Sequence, residues 1–231
     1  MSGRLVVVTG AGGGIGRALA DRFSAVGDQV LAPGRADCDV TSEESVAAYF
    51  ERVGAVDVLV NNAGIAESAP LHRTTLASWR AHLDVNATGA FLCTRAVVAG
   101  MRERGAGAIV TVASLAGRAG APYTAAYTAA KHAAVGLMRA TAAELAGSGA
   151  TANAVCPSYV DTPMTDRTVA NITARTGRDE AAARGVLDAG SPLGRLLYPD
   201  EVAAAVTWLA SPDAAAINGQ TLVIDGGGIQ A

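Results

Sequence analysis

Tyr127 and Lys131 stand four residues apart, and Ser114 precedes the tyrosine by 13 residues. On a helix that i, i+4 spacing projects both side chains from one face. A phenol with an ordinary pKa near 10 is a poor base at neutral pH, so an ammonium one turn away, which favours phenolate, would draw it toward proton transfer. Ser114 follows the apolar run 107–112 and leads into the small-residue stretch Leu115-Ala116-Gly117. That places its hydroxyl at the carboxyl edge of a sheet, where open α/β sheets collect ligands. A second constellation, Thr9-Gly10-Ala11-Gly12-Gly13-Gly14-Ile15-Gly16, lies between an apolar run and a helix start. Glycines let a pyrophosphate approach the backbone, and the N–H groups and dipole of the helix start attract its charge. A dinucleotide cradle is the natural reading, and the lack of a Gly-Lys-Ser/Thr ending argues against a P-loop NTPase.

These residues need a scaffold, and the hydrophobic periods supply one. Short β-branched runs at 5–9, 29–32, 57–60, 107–112, 151–156 and 221–224 alternate with helical patterns at 15–26, 43–52, 75–103, 125–147 and 199–210. A weaker helical signal runs between 163 and 188. The alternation predicts a doubly wound parallel sheet with helices on both faces, a Rossmann-like α/β fold, in one domain over residues 1–231. Strand 29–32 is followed almost at once by Asp37-Cys38-Asp39-Val40, a gap too short for a right-handed crossover of roughly ten or more residues. The helix after the second strand is therefore expected to be shortened or missing, and the edge strand beyond it missing or vestigial. Pro157, Pro163, Pro192 and Pro199 punctuate a stretch, about 157–198, that reads as a substrate lid.

The motifs together resemble those of the short-chain dehydrogenase/reductase family. Thr9-Gly10 through Gly14-Ile15-Gly16 is similar to its Thr-Gly-x-x-x-Gly-Ile-Gly cofactor motif, and Asn61-Asn62-Ala63-Gly64 to its Asn-Asn-Ala-Gly. Tyr127 to Lys131 matches Tyr-x-x-x-Lys, Ser114 has the family's spacing from it, and Asp225-Gly226-Gly227 is similar to the family's C-terminal ending. The resemblance implies that Ser114 holds the substrate oxygen, Tyr127 exchanges the proton and Lys131 also binds the nicotinamide ribose. Hydride would then pass directly between cofactor and substrate carbon. Asn86, in Asp84-Val85-Asn86-Ala87-Thr88, corresponds to the family's fourth catalytic position, where an amide helps hold a water relay to the lysine. By the same resemblance Gly10, Gly14, Ile15 and Gly16 carry the cofactor phosphates, and Asn62, Ala63 and Gly64 also contact the cofactor. Asp39 and Val40 would meet the adenine. Pro157, Val160 and Thr162 would lie beside the nicotinamide, Val160 and Thr162 at its carboxamide. Ser158 stands where the family places a glycine, which narrows the space near the substrate.

Arg35 selects the cofactor. NAD enzymes of this fold place an acidic residue on the ribose 2′-hydroxyl at the end of the second strand, whereas an arginine accommodates a 2′-phosphate. Here the turn reads Ala32-Pro33-Gly34-Arg35, so NADP(H) is preferred, with NAD(H) as the alternative and Asp37 as the residue that would repel phosphate. The leading substrate expectation is a 3-oxoacyl thioester, as for 3-oxoacyl carrier-protein or acetoacetyl-CoA reductases. Ala66, Ala116 and Thr124, the positions nearest the reacting pair, offer no cation, so a small hydroxy acid is disfavoured. A dehydrogenase of cyclic or steroidal secondary alcohols remains an alternative. So does a non-catalytic dinucleotide sensor, against which the complete Ser114, Tyr127 and Lys131 set argues.

The composition is consistent with a small-molecule enzyme. Half of the 231 residues are hydrophobic and 17% are charged, with a formal charge of −3, which suits a large core and leaves no basic field for nucleic acid. Leu5 to Thr9 is far shorter than the roughly 20 apolar residues of a membrane span, and no charged leader precedes it, so a cytoplasmic protein is expected. Cys38, Cys93 and Cys156 lie 55 and 63 residues apart and, with three histidines, predict no metal site. They read as small buried hydrophobes. Alanines on several faces of 125–147 permit close helix contact, and by the family resemblance a homotetramer is expected.

Overall fold

Val6, Val7 and Val8 are fully buried on both faces of strand β1 (Leu5–Val8), as an inner parallel strand requires. The computed structural model describes residues 3–229. Beside β1 lie β2 (Gln29–Leu31) and β3 (Val58–Asn61), followed by β4 (Gly107–Val112), β5 (Ala150–Pro157) and β6 (Thr221–Ile224). All pairings are parallel, and the order is β2-β1-β3-β4-β5-β6. The chain reverses direction across the sheet between β1 and β3, which opens a crevice at their carboxyl ends.

Alternate side chains feed two cores. Val7 and Leu59 join a layer under α2 (Glu43–Val53), α4 (Gly89–Arg104) and α5 (Ala125–Leu145), where Phe50, Leu92, Met101 and Leu145 pack. Val6, Val8, Val58 and Val60 point the other way, against Leu19 and Phe23 of α1 (Gly14–Ala25) and Val206 and Leu209 of α8 (Pro199–Leu209). Among the described residues no helix is long and apolar enough to cross a membrane. All three cysteines are free and buried.

The short gap after β2 has the expected consequence. Residues 32–42 form neither helix nor strand, only turns in which Asp37 and Cys38 donate to the Gly34 carbonyl. Ser42 then caps α2, which carries the chain straight to β3 on the far side of β1. Among the described residues β2 is therefore the edge of the sheet.

Two helical stretches depart from the periodicity. The pattern over 75–103 divides into α3 (Leu76–Leu83) and α4, joined by one π-helical turn over Asp84–Thr88. Such turns are rare and concentrate at functional sites, because the extra residue re-aims a side chain. The weak signal after 163 becomes α6 (Pro163–Thr176) and α7 (Glu180–Ala189), capped by Thr162 and Asp179. They share a small core of their own, Val169, Ala183, Leu187 and Leu196.

Candidate active site

The glycine loop is locked from below and open above. Gly10 has φ +68°, and a Cβ there would lie 2.7 Å from the Ala63 Cα; one at Gly16 would lie 2.5 Å from the Gly10 carbonyl oxygen. At Gly12 and Gly13 a Cβ would meet nothing within 4 Å. Helix α1 follows Gly13, which offers no side-chain cap, so its first N–H groups and dipole are left for an anion. These features fit a dinucleotide pyrophosphate.

The loop is clasped to the segment after β3. The Asn62 Nδ2 donates to the carbonyls of Thr9 and Gly10 at 2.9 and 3.0 Å, while the Thr9 hydroxyl accepts from the N–H groups of Asn62 and Ala63, both at 3.1 Å. The two family-like motifs are thus one interlocked unit at the crevice. Thr162 joins it from the other side, its Cγ2 lying 3.0 Å from where a Gly14 Cβ would stand. Pro157 ends β5 at the same edge. Val160 has its side chain buried in the core and its carbonyl accepting from the Thr165 hydroxyl, so only its remaining main chain could meet a ligand.

At the adenosine end, Arg35 holds an 85% exposed side chain whose Nε donates to Asp39 at 3.1 Å. Hydrogen bonds from Thr41, and then Arg35, hold the Asp39 carboxyl below its usual range. Asp37 turns its carboxylate back onto the Gly34 N–H at 3.1 Å. Val40 packs against the start of α4, its Cγ2 2.9 Å from a Cβ placed at Gly89.

Ser114, Tyr127 and Lys131 converge where β4 ends and α5 begins. Ser114 is extended and caps a short 3₁₀ turn over Leu115–Gly117, its hydroxyl accepting from the Ala116 N–H at 3.2 Å. Burial raises the Tyr127 phenol above its ordinary pKa, and a hydrogen bond with Ser114 acts in the opposite direction. The Lys131 ammonium lies over the tyrosine ring, 5.7 Å from its centroid, and donates to the Val112 carbonyl at 2.9 Å. Burial lowers its pKa to about 8. The i, i+4 spacing thus sets the ammonium over the ring of Tyr127, as one helix face requires.

Asn86 projects from the π-helical turn with its amide committed to main chain. Its Nδ2 donates to the carbonyls of Ile65 and His82, both at 3.0 Å, and its Oδ1 accepts from the Ile65 N–H at 3.2 Å. A Cβ at Gly64 would be 2.7 Å from that oxygen and 3.6 Å from the Lys131 Nζ, so amide, glycine and ammonium crowd one point.

His82, which sequence reading missed, is fully buried beside them. Its ring meets the Tyr127 ring edge-on, with centroids 6.3 Å apart. Because the Ser78 carbonyl can only accept, Nδ1 carries the proton across that 2.7 Å contact, and Nε2 accepts from the Glu67 N–H at 3.0 Å. The signal was its i, i+4 relation to Asn86 on one helix face.

Known proteins resemble this chain over nearly its whole length. Residues 16–228 match a family model described as enoyl-(acyl carrier protein) reductase. The chain is 40% identical to cis-4-hydroxycyclohexanecarboxylate dehydrogenase of Sinomonas cyclohexanicum, over 97% of this chain and 96% of that protein. It is 37% identical to 2,5-dichloro-2,5-cyclohexadiene-1,4-diol dehydrogenase of Sphingobium indicum, with 98% and 97% covered. Among solved structures, a variant of actinorhodin polyketide ketoreductase with NADPH superposes with a TM-score of 0.92 at 35% identity, covering 97% of each chain.

Proposed function

Because this chain belongs to the short-chain dehydrogenase/reductase family and is an oxidoreductase of CH–OH groups, we propose that its crevice interconverts a ketone and a secondary alcohol through Tyr127, Ser114 and Lys131. The observation that carries this reading is the convergence of those three side chains at the sheet edge that also holds the clasped glycine loop. When bound, a nicotinamide cofactor supplies or accepts the hydride. Gly10, Gly14, Ile15 and Gly16 would hold its phosphates. Asn62, Ala63 and Gly64, with Pro157, Val160 and Thr162, would line its nicotinamide half.

In the reducing direction Ser114 donates to the substrate carbonyl oxygen, and Tyr127 gives its proton to the same oxygen as the alcohol forms. A phenol kept protonated by burial suits that role as general acid. Lys131 would hold the ribose hydroxyls, and Asn86 keeps the main chain of Ile65, and with it Gly64, beside the ammonium. Water relayed through this corner would restore the tyrosine proton.

For the cofactor, the exposed Arg35 guanidinium and the turning of Asp37 onto Gly34 support NADP(H) over NAD(H). The test compares kcat/KM for both cofactors in wild type and Arg35→Ala. Selective loss with NADP(H), roughly 1.5–3 kcal/mol for a charged hydrogen bond, supports the reading, and equal loss with both overturns it.

For the substrate, likeness to the polyketide ketoreductase supports a 3-oxoacyl thioester. The two cyclic-alcohol dehydrogenases support a ring alcohol. A panel of 3-oxobutyryl thioester, cyclohexanones and cyclohexanols with both cofactors decides between them, and turnover of none would overturn the function. Residues 157–198, with α6 and α7, would act as the lid of a single domain, and the alanine-rich α5 supports assembly into a homotetramer, which light scattering tests.

A further inference from the structure

A cavity of about 220 Å³ lies one residue before Tyr127 on α5, and two arginines from distant parts of the chain enter its wall. Arg73 comes from the short 3₁₀ turn before α3, and Arg175 from the last turn of α6. Ala126, the immediate neighbour of Tyr127, forms part of the wall, as does Glu67. The Glu67 N–H donates to His82, whose ring packs on the Tyr127 ring. The cavity is therefore coupled to the reacting tyrosine through two contacts.

Charge distinguishes this cavity. Of the other arginines between 157 and 198, Arg184 pairs with Asp161 and Asp166, and Arg195 with Glu201. Arg73 and Arg175 have no carboxylate within 4.0 Å among the described residues. Glu67, the acidic residue in the wall, has its carboxylate turned to the Ser78 hydroxyl at 3.4 Å. Two guanidiniums against one carboxylate leave the cavity net positive.

The rim is also held in an unusual conformation. Tyr123, which lines the cavity, has φ +67°, a region that non-glycine residues rarely occupy, while its carbonyl accepts from the Ala69 N–H at 2.8 Å. Strain of this kind persists where the surroundings fix it and collects at ligand-binding sites.

Resting on the oxidoreductase reading, we infer that Arg73 and Arg175 form a subsite for a compact anionic group at the end of the substrate remote from its carbinol carbon. A guanidinium fork matches carboxylate and phosphate oxygens alike. The anion is either a carboxylate borne by a ring substrate or the phosphate of a pantetheine arm. This refines the expectation drawn from Ala66, Ala116 and Thr124. A carboxylate on the carbon next to the carbinol finds no cation, whereas one placed across a ring or chain does.

Calorimetric titration of wild type, Arg73→Gln and Arg175→Gln with non-reacting probes tests the subsite independently of turnover. The probes are cyclohexanecarboxylate, its neutral carboxamide and 4′-phosphopantetheine. One anion should bind roughly tenfold or more tightly than the carboxamide, about 1.4 kcal/mol. The advantage should shrink in high salt, because both arginines are exposed, and should disappear in each variant. Preference for cyclohexanecarboxylate identifies the ring acid, and preference for 4′-phosphopantetheine identifies the carrier arm. Equal affinity for charged and neutral probes, or an anion preference untouched by both substitutions, overturns the subsite. The ketone panel judges the oxidoreductase reading separately: turnover of neutral ketones with no anion preference would leave that reading standing and remove only the subsite.

Discussion

The clasped loop around Gly10 and Asn62 and the helical pair α6 and α7 are built in opposite ways. The first is main chain locked to main chain, where an added methyl would collide with Ala63 or Gly10. The second rests on a few buried side chains, Val169, Ala183, Leu187 and Leu196, and is tied down by exposed ion pairs of Arg184. A surface held by backbone geometry tolerates little change, so it suits a ligand that is always the same. A thin core with side-chain ties can be altered residue by residue, which suits the role of substrate lid proposed for it.

The largest effect should come from the chemistry between these regions. Tyr127→Phe removes the proton but keeps the ring and its contact with His82. Turnover is expected to fall ~10²–10⁴-fold while cofactor titration is unchanged. Retained turnover would remove Tyr127 from the mechanism.

Next comes a direct contrast between the rigid and adjustable regions. In Gly16→Ala the new Cβ meets backbone at 2.5 and 2.7 Å, so a loss of about 3 kcal/mol in denaturant melts is expected, together with weakened cofactor binding. In Gly185→Ala, inside α7, the Cβ meets nothing within 4 Å, and the better helix former should stabilise by about 0.5–1 kcal/mol. Similar outcomes for the two would erase the contrast.

Lys131 carries a smaller stability effect with a defined pH dependence. Its pKa near 8 lies below its ordinary value of 10.5, so between those values the folded chain binds fewer protons than the unfolded one. Stability therefore rises with pH across that window, and at pH 7 the buried charge costs on the order of 3 kcal/mol. Lys131→Met should abolish turnover yet stabilise at pH 7, by less than that amount because the Val112 carbonyl loses its donor. The advantage should vanish near pH 10. A variant less stable than wild type at pH 7 would contradict it.

The smallest effect belongs to the proposed lid. Arg184→Ala removes two exposed ion pairs, which solvent screening limits to about 1 kcal/mol. It should change KM for substrate more than KM for cofactor.

What was legible in the sequence follows the same division. Glycines and short polar side chains at fixed spacing marked the cradle, because local backbone geometry leaves few alternatives to them. The missing helix after β2 could be read because the four residues between Ala32 and Asp37 are too few for a crossover. The π-helical turn at Asp84–Thr88 was hidden, since its cause is the long-range anchoring of Asn86 to Ile65 across the crevice. The burial of Tyr127 was hidden for a similar reason: periodicity gives the face a side chain shares, and packing decides how deeply it is buried. Arg73 and Arg175 meet only through folding, 102 positions apart, so no spacing could have paired them.

The central claim is that this crevice passes hydride between a nicotinamide and a carbonyl carbon. It is tested most directly with NADPH carrying deuterium at both C4 positions, supplied with the ketones of the substrate panel and followed by mass spectrometry of the product alcohol. The account predicts one deuterium on the carbinol carbon for each NADPH oxidised. Oxidation of NADPH that leaves the carbinol carbon unlabelled, or no oxidation of NADPH or NADH with any ketone of the panel, would contradict it.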